Sequence, residues 1–177
     1  MAATEQVEAM DEVAAALLMQ NEMLPGEKLL RSFGANALLP LHPDASGTGA
    51  KPYMIGASAP RKVLGMLHLT NYRLKFKPAN SRDADFSILL PAIADTRDVS
   101  RLFVRKCRLT MQDGTFIEFL RWGIPTLIGT VNIARAQAQN LDWTAIERDI
   151  AAVPDTLGAW SVFPSIGQNT GSTAPAG

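Results

Sequence analysis

Residues 65–78 alternate between apolar and polar side chains with a period of two, which is the pattern of a half-buried β-strand. Thr70-Asn71 interrupts the alternation, and asparagine tolerates the left-handed backbone that a tight hairpin turn needs. We therefore expect a β-hairpin with one face turned towards a core. The core face would carry Leu67, Leu69, Tyr72, Leu74 and Phe76, and the outer face would carry His68, Arg73, Lys75 and Lys77.

The pairing within this hairpin decides what its outer face presents. With Thr70-Asn71 as a two-residue turn, Leu69 lies opposite Tyr72, and every apolar residue of both strands except Leu64 and Met66 falls on the core face. Lysine stems, a partner protein or the N-terminal segment would have to cover these two side chains. Leu64 and Met66 are therefore candidates for a protein-interaction surface.

An amphipathic helix is predicted before the first strand, in residues 1–23. Apolar residues recur there at intervals of three and four, ending with Leu17 and Leu18, which join the candidate interaction surface. The first half of this helix is acidic, which suits the helix dipole but would be repelled by an anionic membrane. We expect the helix to dock on its own domain or on a second copy of the chain.

Turn signals divide the rest of the chain into strands, one long loop and two helices. The last hairpin surrounds Asp113-Gly114, where a three-residue connection with glycine at a positive φ would place Met111 opposite Ile117. The stretch from Leu127 to Leu141 shows helical spacing, and Asp142 can cap a further helix. The predicted strands span residues 28–39, 86–90, 93–99, 102–111 and 115–120, and the long loop spans residues 41–60.

These elements predict a mainly β protein with flanking helices. About six or seven strands followed by a closing helix suit an antiparallel β-sandwich or barrel that the C-terminal helix caps at one end. We expect an N-terminal helix in residues 1–23, a β domain in residues 24–153 and a C-terminal extension in residues 154–177. From about residue 165 the extension consists mainly of Gly, Ser, Thr, Ala and Pro, and we expect it to be disordered there.

Three segments of the chain resemble the GRAM domain, a branch of the PH-like fold. They are Leu24-Pro-Gly-Glu27, Gly65-Met-Leu-His-Leu-Thr-Asn-Tyr-Arg-Leu-Lys-Phe-Lys77 and Met111-Gln-Asp-Gly-Thr-Phe116, of which the middle one is the most specific. The resemblance covers about residues 24–149. It implies a PH-like β-sandwich that binds lipids or proteins and performs no chemistry.

The chain is particularly similar to the PH-GRAM module of myotubularin-type lipid phosphatases, but it has no room for their phosphatase domain. Those enzymes use a Cys-x5-Arg loop, and counting from Cys107 the arginine position holds Asp113. A thiolate there would lack the guanidinium that holds a transferring phosphoryl group. The resemblance therefore does not extend to phosphatase activity.

No cofactor, metal site or catalytic group is expected. His42 and His68 are the only histidines, and His68 has no acidic or cysteine partner at ligand spacing. Cys107 is the only cysteine, which indicates a reducing compartment. It is either a small apolar residue on a strand or a thiol whose pKa the flanking Arg105-Lys106 and Arg108 lower.

The charge distribution argues against nucleic acid as a partner, because 17 basic residues balance 17 acidic ones. A basic run formed by Arg101 and Arg105 to Arg108 alternates between the sides of its strand and is interpreted as forming no single patch. We find no secretory signal and no apolar run of the ~20 residues that a membrane span needs. We therefore expect a cytoplasmic protein, at most peripheral at the membrane.

A local basic group is the candidate site for lipid or phosphate. Antiparallel pairing brings Arg61 and Lys62 near Lys77, with Arg82 in the following loop and Lys51 in the long loop. Converging cations can hold a phosphate, and the resemblance implies that phosphorylated inositol lipids bind at this end. The alternative is an ordinary solvated strand end with lysines guarding a sheet edge.

The sequence thus predicts a non-enzymatic binding module. In the leading hypothesis it binds anionic membrane lipid, phosphoinositides included, through this basic group. In the second it is a protein-interaction or self-assembly module, possible as a homo-oligomer, with no lipid ligand. A third hypothesis, an enzyme that uses the long loop as a lid, rests on loop length alone.

Overall fold

The computed structural model describes residues 19–39, 61–80 and 82–163. These residues form one eight-stranded sheet and two α-helices. The strands are β1 (Leu29–Leu39), β2 (Arg61–Thr70), β3 (Arg73–Pro78), β4 (Phe86–Leu89), β5 (Ile93–Asp98), β6 (Lys106–Met111), β7 (Phe116–Leu120) and β8 (Trp160–Val162). The helices are α1 (Ile124–Ala138) and α2 (Trp143–Ala152).

The sheet is open and mixed. Its strands lie in the order β5-β6-β7-β1-β2-β3-β4-β8. The neighbours among β1 to β7 pair antiparallel, whereas β8 pairs parallel with β4. The predicted mainly β class with helices is therefore confirmed, but the sheet is not wholly antiparallel.

One face of the sheet and α1 enclose the main core. Successive side chains of a strand point to opposite faces, so alternate residues of each strand enter it. Phe76 stacks on Phe86 with ring centroids 5.2 Å apart, and Phe119 lies 6.1 Å from Phe76. The helix contributes residues that recur at intervals of three and four, namely Ile124, Leu127, Val131, Ala134 and Ala138.

Both helices begin at a local start signal. α1 follows Gly123, whose φ of 71° is left-handed, and it carries Pro125 in its first turn. α2 follows Asp142, whose side chain accepts a hydrogen bond from Ala145 N at 3.2 Å. The predicted Asp142 cap is confirmed.

The predicted pairing of both hairpins was wrong by two residues. In the first hairpin Leu69 lies opposite Leu74, so the two turn residues are Asn71-Tyr72 and not Thr70-Asn71. In the last hairpin Leu109 lies opposite Ile117, with Gly114 at φ 83° in the three-residue connection as predicted. A shift of two keeps each strand residue on its predicted face, because the side-chain period of a strand is two. Tyr72 is the exception: it was predicted on the core face but lies in the turn and packs in a second buried cluster with Leu24, Leu89 and Leu157.

The outer face of the β2–β3 hairpin is largely buried, although its polar residues would suit solvent. His68, Arg73 and Lys75 are each at most 1% exposed. Arg73 and Lys75 bind residues 19–27, here called the N-terminal strap, and residues 154–159, here called the C-terminal strap. The polar outer face is therefore an internal surface of the protein.

The C-terminal strap leads into β8, which lengthens the sheet beyond β4. Trp160 stacks on Phe86 with ring centroids 4.1 Å apart and an interplanar angle of 15°. Gly158, at φ 92°, passes so close to Asp85 that a Cβ atom would lie 2.4 Å from its Oδ1. The part of the chain that the sequence placed in an extension thus contributes a strand to the sheet.

Several predictions concern parts of the chain outside the described residues. These are the N-terminal helix up to residue 18 with Leu17 and Leu18, the long loop with Lys51, and the disorder expected from about residue 165. Within the described ranges, no helix is long and apolar enough to cross a membrane.

Candidate functional site

A buried carboxylate joins the N-terminal strap to the β2–β3 turn. Glu27 accepts hydrogen bonds from Leu24 N, Thr70 Oγ1 and Arg73 Nε, each at 2.8 Å. Thr70 Oγ1 in turn accepts from the backbone N–H of Tyr72 and Arg73. Glu27 therefore links the N-terminal strap to Thr70 and Arg73, which flank the turn.

The side chains of the turn residues also form hydrogen bonds to the N-terminal strap and to Lys28, the residue after it. Asn71 Oδ1 accepts from Lys28 N at 2.6 Å, and Asn71 Nδ2 donates to Gly26 O at 3.2 Å. Tyr72 OH donates to Pro25 O at 3.0 Å. The first two segments that carry the family resemblance therefore bind each other, and in this structure they act in folding rather than at an open ligand site.

A second group of charges lies beneath the straps. Lys75 Nζ is 3.0 Å from Glu22 Oε2 and 3.1 Å from Asp85 Oδ1, and it donates to Thr156 O at 2.7 Å. Lys77 pairs with Glu22 and lies 4.0 Å from Asp85. Burial alone would raise the pKa of Glu22, but the hydrogen bonds from Lys77 and Lys75 outweigh it and lower the pKa.

His68 is a structural residue of the outer face. Its Nδ1 lies 2.8 Å from Ser32 Oγ, and its side chain is almost fully buried. Burial, together with the charges of Lys77 and Lys75, lowers the pKa of His68 to about 4, despite the opposing charge of Glu22. The imidazole is therefore neutral at pH 7 and is not presented to a substrate.

Cys107 is a core residue, as the first of its two interpretations held. It is 1% exposed, and burial raises its pKa to about 12, with Asp98 adding to the effect. The alternative, that neighbouring cations lower the pKa of this thiol, is overturned. Elsewhere among the described residues, no three His, Cys, Asp or Glu side chains come together as metal ligands would.

The basic group predicted from the sequence is spread along one end of the sheet. In the observed register Lys77 lies opposite Met66, two residues further from Arg61 than the predicted turn placed it. Arg61 is held by Asp83 at 2.7 Å, in the loop before β4. Lys51 lies outside the described residues.

Two members of the group, Lys77 and Arg82, line an open cleft of about 710 Å³. The cleft also contains the carboxylates of Glu22 and Asp85, so its two cations face two acids. Lys62 and Arg82 are exposed, and neither forms an ion pair with another described residue. The remaining lining residues are Pro78, Ala79, Asn80 and Ala159.

The candidate protein-interaction residues lie on an uncovered part of the outer face. Leu64 is 62% exposed, and Met66 is half-buried. Gly34 lies opposite Met66 on β1, and a Cβ atom there would meet no heavy atom within 4 Å. The straps that bury Lys75 do not extend over this part of the face.

One exposed apolar group was missed in the sequence, where Leu102 was predicted to start a strand. Leu102 and Phe103 instead form the turn between β5 and β6 and are 92% and 94% exposed. Trp122, which follows β7, is 79% exposed. The available signal was a run of three apolar residues, Leu102 to Val104, flanked by Arg101 and Arg105.

Comparisons with known proteins add a weak structural similarity. No family model matches the sequence, and no curated protein matches it. One similar solved structure is described as the crystal structure of the C-terminal domain of an unknown protein from Leishmania infantum. It is 16% identical, with a TM-score of 0.49, and the match covers 70% of this chain and 95% of that one. A similarity at this level carries no inference about function.

Proposed function

We propose that this chain is a non-enzymatic, PH-like domain of the GRAM type that binds anionic membrane surfaces from the cytoplasm. The layout of the sheet supports the PH-like assignment. Seven strands pair antiparallel in one continuous order, and the helix that follows the last of them packs on β5 and β6. The resemblance implied this sequence of elements.

The state of the two most reactive side chains supports binding over catalysis. His68 is buried and neutral at pH 7, because its pKa lies at about 4. Cys107 is buried with a pKa of about 12, so its thiolate is scarcely populated. Neither is positioned as a general base or a nucleophile.

Exposed cations without ion-pair partners carry the membrane part of the proposal. Lys62 and Arg82 lie at one end of the sheet, and Arg101 and Arg105 lie at the other. None of the four forms an ion pair with any residue that the structure describes. An anionic leaflet attracts such side chains by about 1 kcal/mol each.

Vesicle flotation tests the proposal. The full chain is mixed with neutral, generic anionic and phosphoinositide-containing vesicles at low and high salt. We expect recovery with the charged vesicles alone, weakened at high salt because the attraction is screened. Absence of flotation with every vesicle would overturn the lipid function.

A second candidate function, self-association, is favoured by the exposed Leu64 beside Met66. It predicts a concentration-dependent dimer in analytical ultracentrifugation that Leu64→Ser dissociates. Ile133→Ser is the matched control, since Ile133 is 63% exposed on α1. Deleting residues 1–18 tests whether the N-terminal segment contributes while Glu22 is kept. A monomer at all concentrations would exclude this function.

A further inference from the structure

We propose that the turn between β5 and β6, residues 101–105, inserts into the headgroup and upper acyl region of an anionic bilayer. This segment is here called the insertion turn. The proposal rests on the proposed membrane function and assigns its contact surface to the end of the sheet opposite the predicted basic group.

The insertion turn is a tight, ordered hairpin. Arg101 N donates to Val104 O at 3.0 Å, and Val104 N donates to Arg101 O at 2.8 Å, which closes a two-residue turn. The residues at its tip are Leu102 and Phe103. Leu102 has a φ of 45°, a left-handed conformation that Asn or Gly adopts far more readily than a branched apolar residue.

The two residues at the tip are unfavourable for the backbone conformation and for exposure to water. This indicates that they serve a function other than stabilising the fold. Of the two central residues only Leu102 has a positive φ, so glycine there followed by a polar residue would suit the backbone and the solvent together. Leu102 and Phe103 instead leave more than nine-tenths of their surface in water. Non-glycine residues in such a conformation concentrate at functional sites. An apolar medium that receives the two side chains would account for their presence.

A tryptophan stands beside the base of the insertion turn. Arg121 N donates to Arg105 O at 3.3 Å, which extends the β6–β7 pairing by one step and brings Trp122 next to the hairpin. Trp122 is 79% exposed. Tryptophan is favoured at the boundary between lipid and water, where an apolar ring can keep a polar edge wet.

The charges around the turn have the sign that anionic headgroups require. Arg101 and Arg105 flank the tip, and neither pairs with a described carboxylate within 4 Å. Asp98 is the nearby acid, and its pKa is lowered first by hydrogen bonds from Ser100 and then by the charge of Arg105. One carboxylate therefore faces two flanking cations.

Two further arginines meet at the same end of the sheet. The guanidinium carbons of Arg31 and Arg121 lie 5.5 Å and 4.5 Å from the ring centroid of Phe33. Burial and the charge of Arg31 lower the pKa of Arg121. Arg121 Nη1 is buried and donates no hydrogen bond to any described group. With Arg101 and Arg105, these two arginines concentrate positive charge at the end of the sheet that carries the insertion turn.

The direction of the strands makes the two candidate surfaces separable. Arg61 lies opposite Leu39, the last residue of β1. β7 runs antiparallel to β1, so Leu120 and the following Arg121 point towards the start of β1. A flat membrane that receives the insertion turn therefore faces away from Lys62 and Arg82.

Variants at the two ends decide the assignment. Vesicles of neutral lipid with and without anionic lipid are titrated with the full chain, its Leu102→Ser/Phe103→Ser form and its Arg101→Gln/Arg105→Gln form. We expect each double variant to weaken binding at least about tenfold, the first at every salt concentration and the second mainly at low salt. Lys62→Gln/Arg82→Gln removes the same charge at the other end of the sheet, and we expect it to weaken binding much less than Arg101→Gln/Arg105→Gln; an equal loss would contradict the assignment. Ile133→Ser is the control matched in apolar exposure, and we expect it to leave binding unchanged.

A fluorescent probe measures insertion directly. Phe103→Cys is labelled with an environment-sensitive dye, while Cys107 stays unlabelled because it is buried. Vesicles should shift the dye emission to shorter wavelength, and brominated lipid should quench it. Unchanged binding of the Leu102→Ser/Phe103→Ser form, or an unshifted probe on bound protein, overturns the insertion turn while leaving the membrane function intact. Absence of binding by the unmodified chain overturns both.

Discussion

Arg73 and Glu27 form an ion pair in which neither side chain has any solvent exposure, with Nε and Oε1 2.8 Å apart. Arg73 also donates to the backbone oxygens of Glu22 and Thr156 at 2.6 and 2.7 Å. One guanidinium on β3 therefore contacts both straps. A buried charge with this many partners is satisfied only when all three segments are in place.

Removing one partner of this pair should be costly. We expect Glu27→Gln to lower the free energy of unfolding by about 3 kcal/mol or more, because Arg73 would remain charged and buried. Denaturation with urea measures the change. Asp83→Asn is the control: it breaks the exposed Arg61–Asp83 pair and should cost under about 1 kcal/mol. Equal losses in the two variants would contradict the structural role assigned to Glu27.

The pH dependence of stability should reveal His68. Its folded pKa of about 4 lies below the ordinary 6.5, so the unfolded chain takes up a proton first as pH falls. Stability should then decrease between pH 6.5 and 4, by about 3 kcal/mol in total. The lowered pKa of Glu22 removes further stability only below its ordinary value of 4.5. His68→Gln should flatten the curve above pH 4.5, and an unchanged slope would contradict this.

Relaxing the backbone of the insertion turn should separate stability from binding. Leu102 has a φ of 45°, and Asn tolerates this conformation better. We expect Leu102→Asn to raise the free energy of unfolding by about 1 kcal/mol, because a left-handed conformation costs a branched residue about 1–2 kcal/mol, and to weaken vesicle binding. Urea denaturation and vesicle titration of the same preparation measure the two effects. A loss of stability would show that Leu102 packs within the fold after all.

Two tryptophans should respond oppositely to truncation. Trp160 stacks on Phe86, and we expect Trp160→Ala to cost about 3 kcal/mol, because it leaves a cavity and frees β8 from β4. Trp122→Ala should change stability by less than about 0.5 kcal/mol, because that side chain is exposed. Thermal melts of both variants make the comparison, and similar melting temperatures would contradict the role of β8.

Periodicity in the sequence predicted faces and elements better than it predicted contacts. A two-residue error in pairing left Leu67 and Phe76 on the core face, because faces repeat every second residue. The alternation of apolar and polar residues therefore cannot distinguish two registers that differ by two residues. It also could not show that the polar face is covered, since Glu22 and Thr156 reach Lys75 from segments far away in the sequence.

The candidate site was harder to predict for a related reason. The sequence alone does not show which acids will pair with a given cation. Lys77 comes close to Glu22 and Asp85 only in the folded chain. The pair Leu102-Phe103 was assigned to a strand because its apolar character fits one. Its exposure depends on the β5–β6 turn falling at that exact place, which local propensity does not fix.

The last strand of the sheet sets a condition on how the chain can be made. β8 pairs with β4, and Thr156 supplies the oxygen that both Arg73 and Lys75 bind. A nascent chain that has not yet emerged from the ribosome to residue 162 holds those cations without their full set of acceptors. Residues up to 162 must therefore be synthesised before Arg73 and Lys75 have all their hydrogen-bond acceptors. Until then β4 is an unpaired edge strand to which a chaperone could bind.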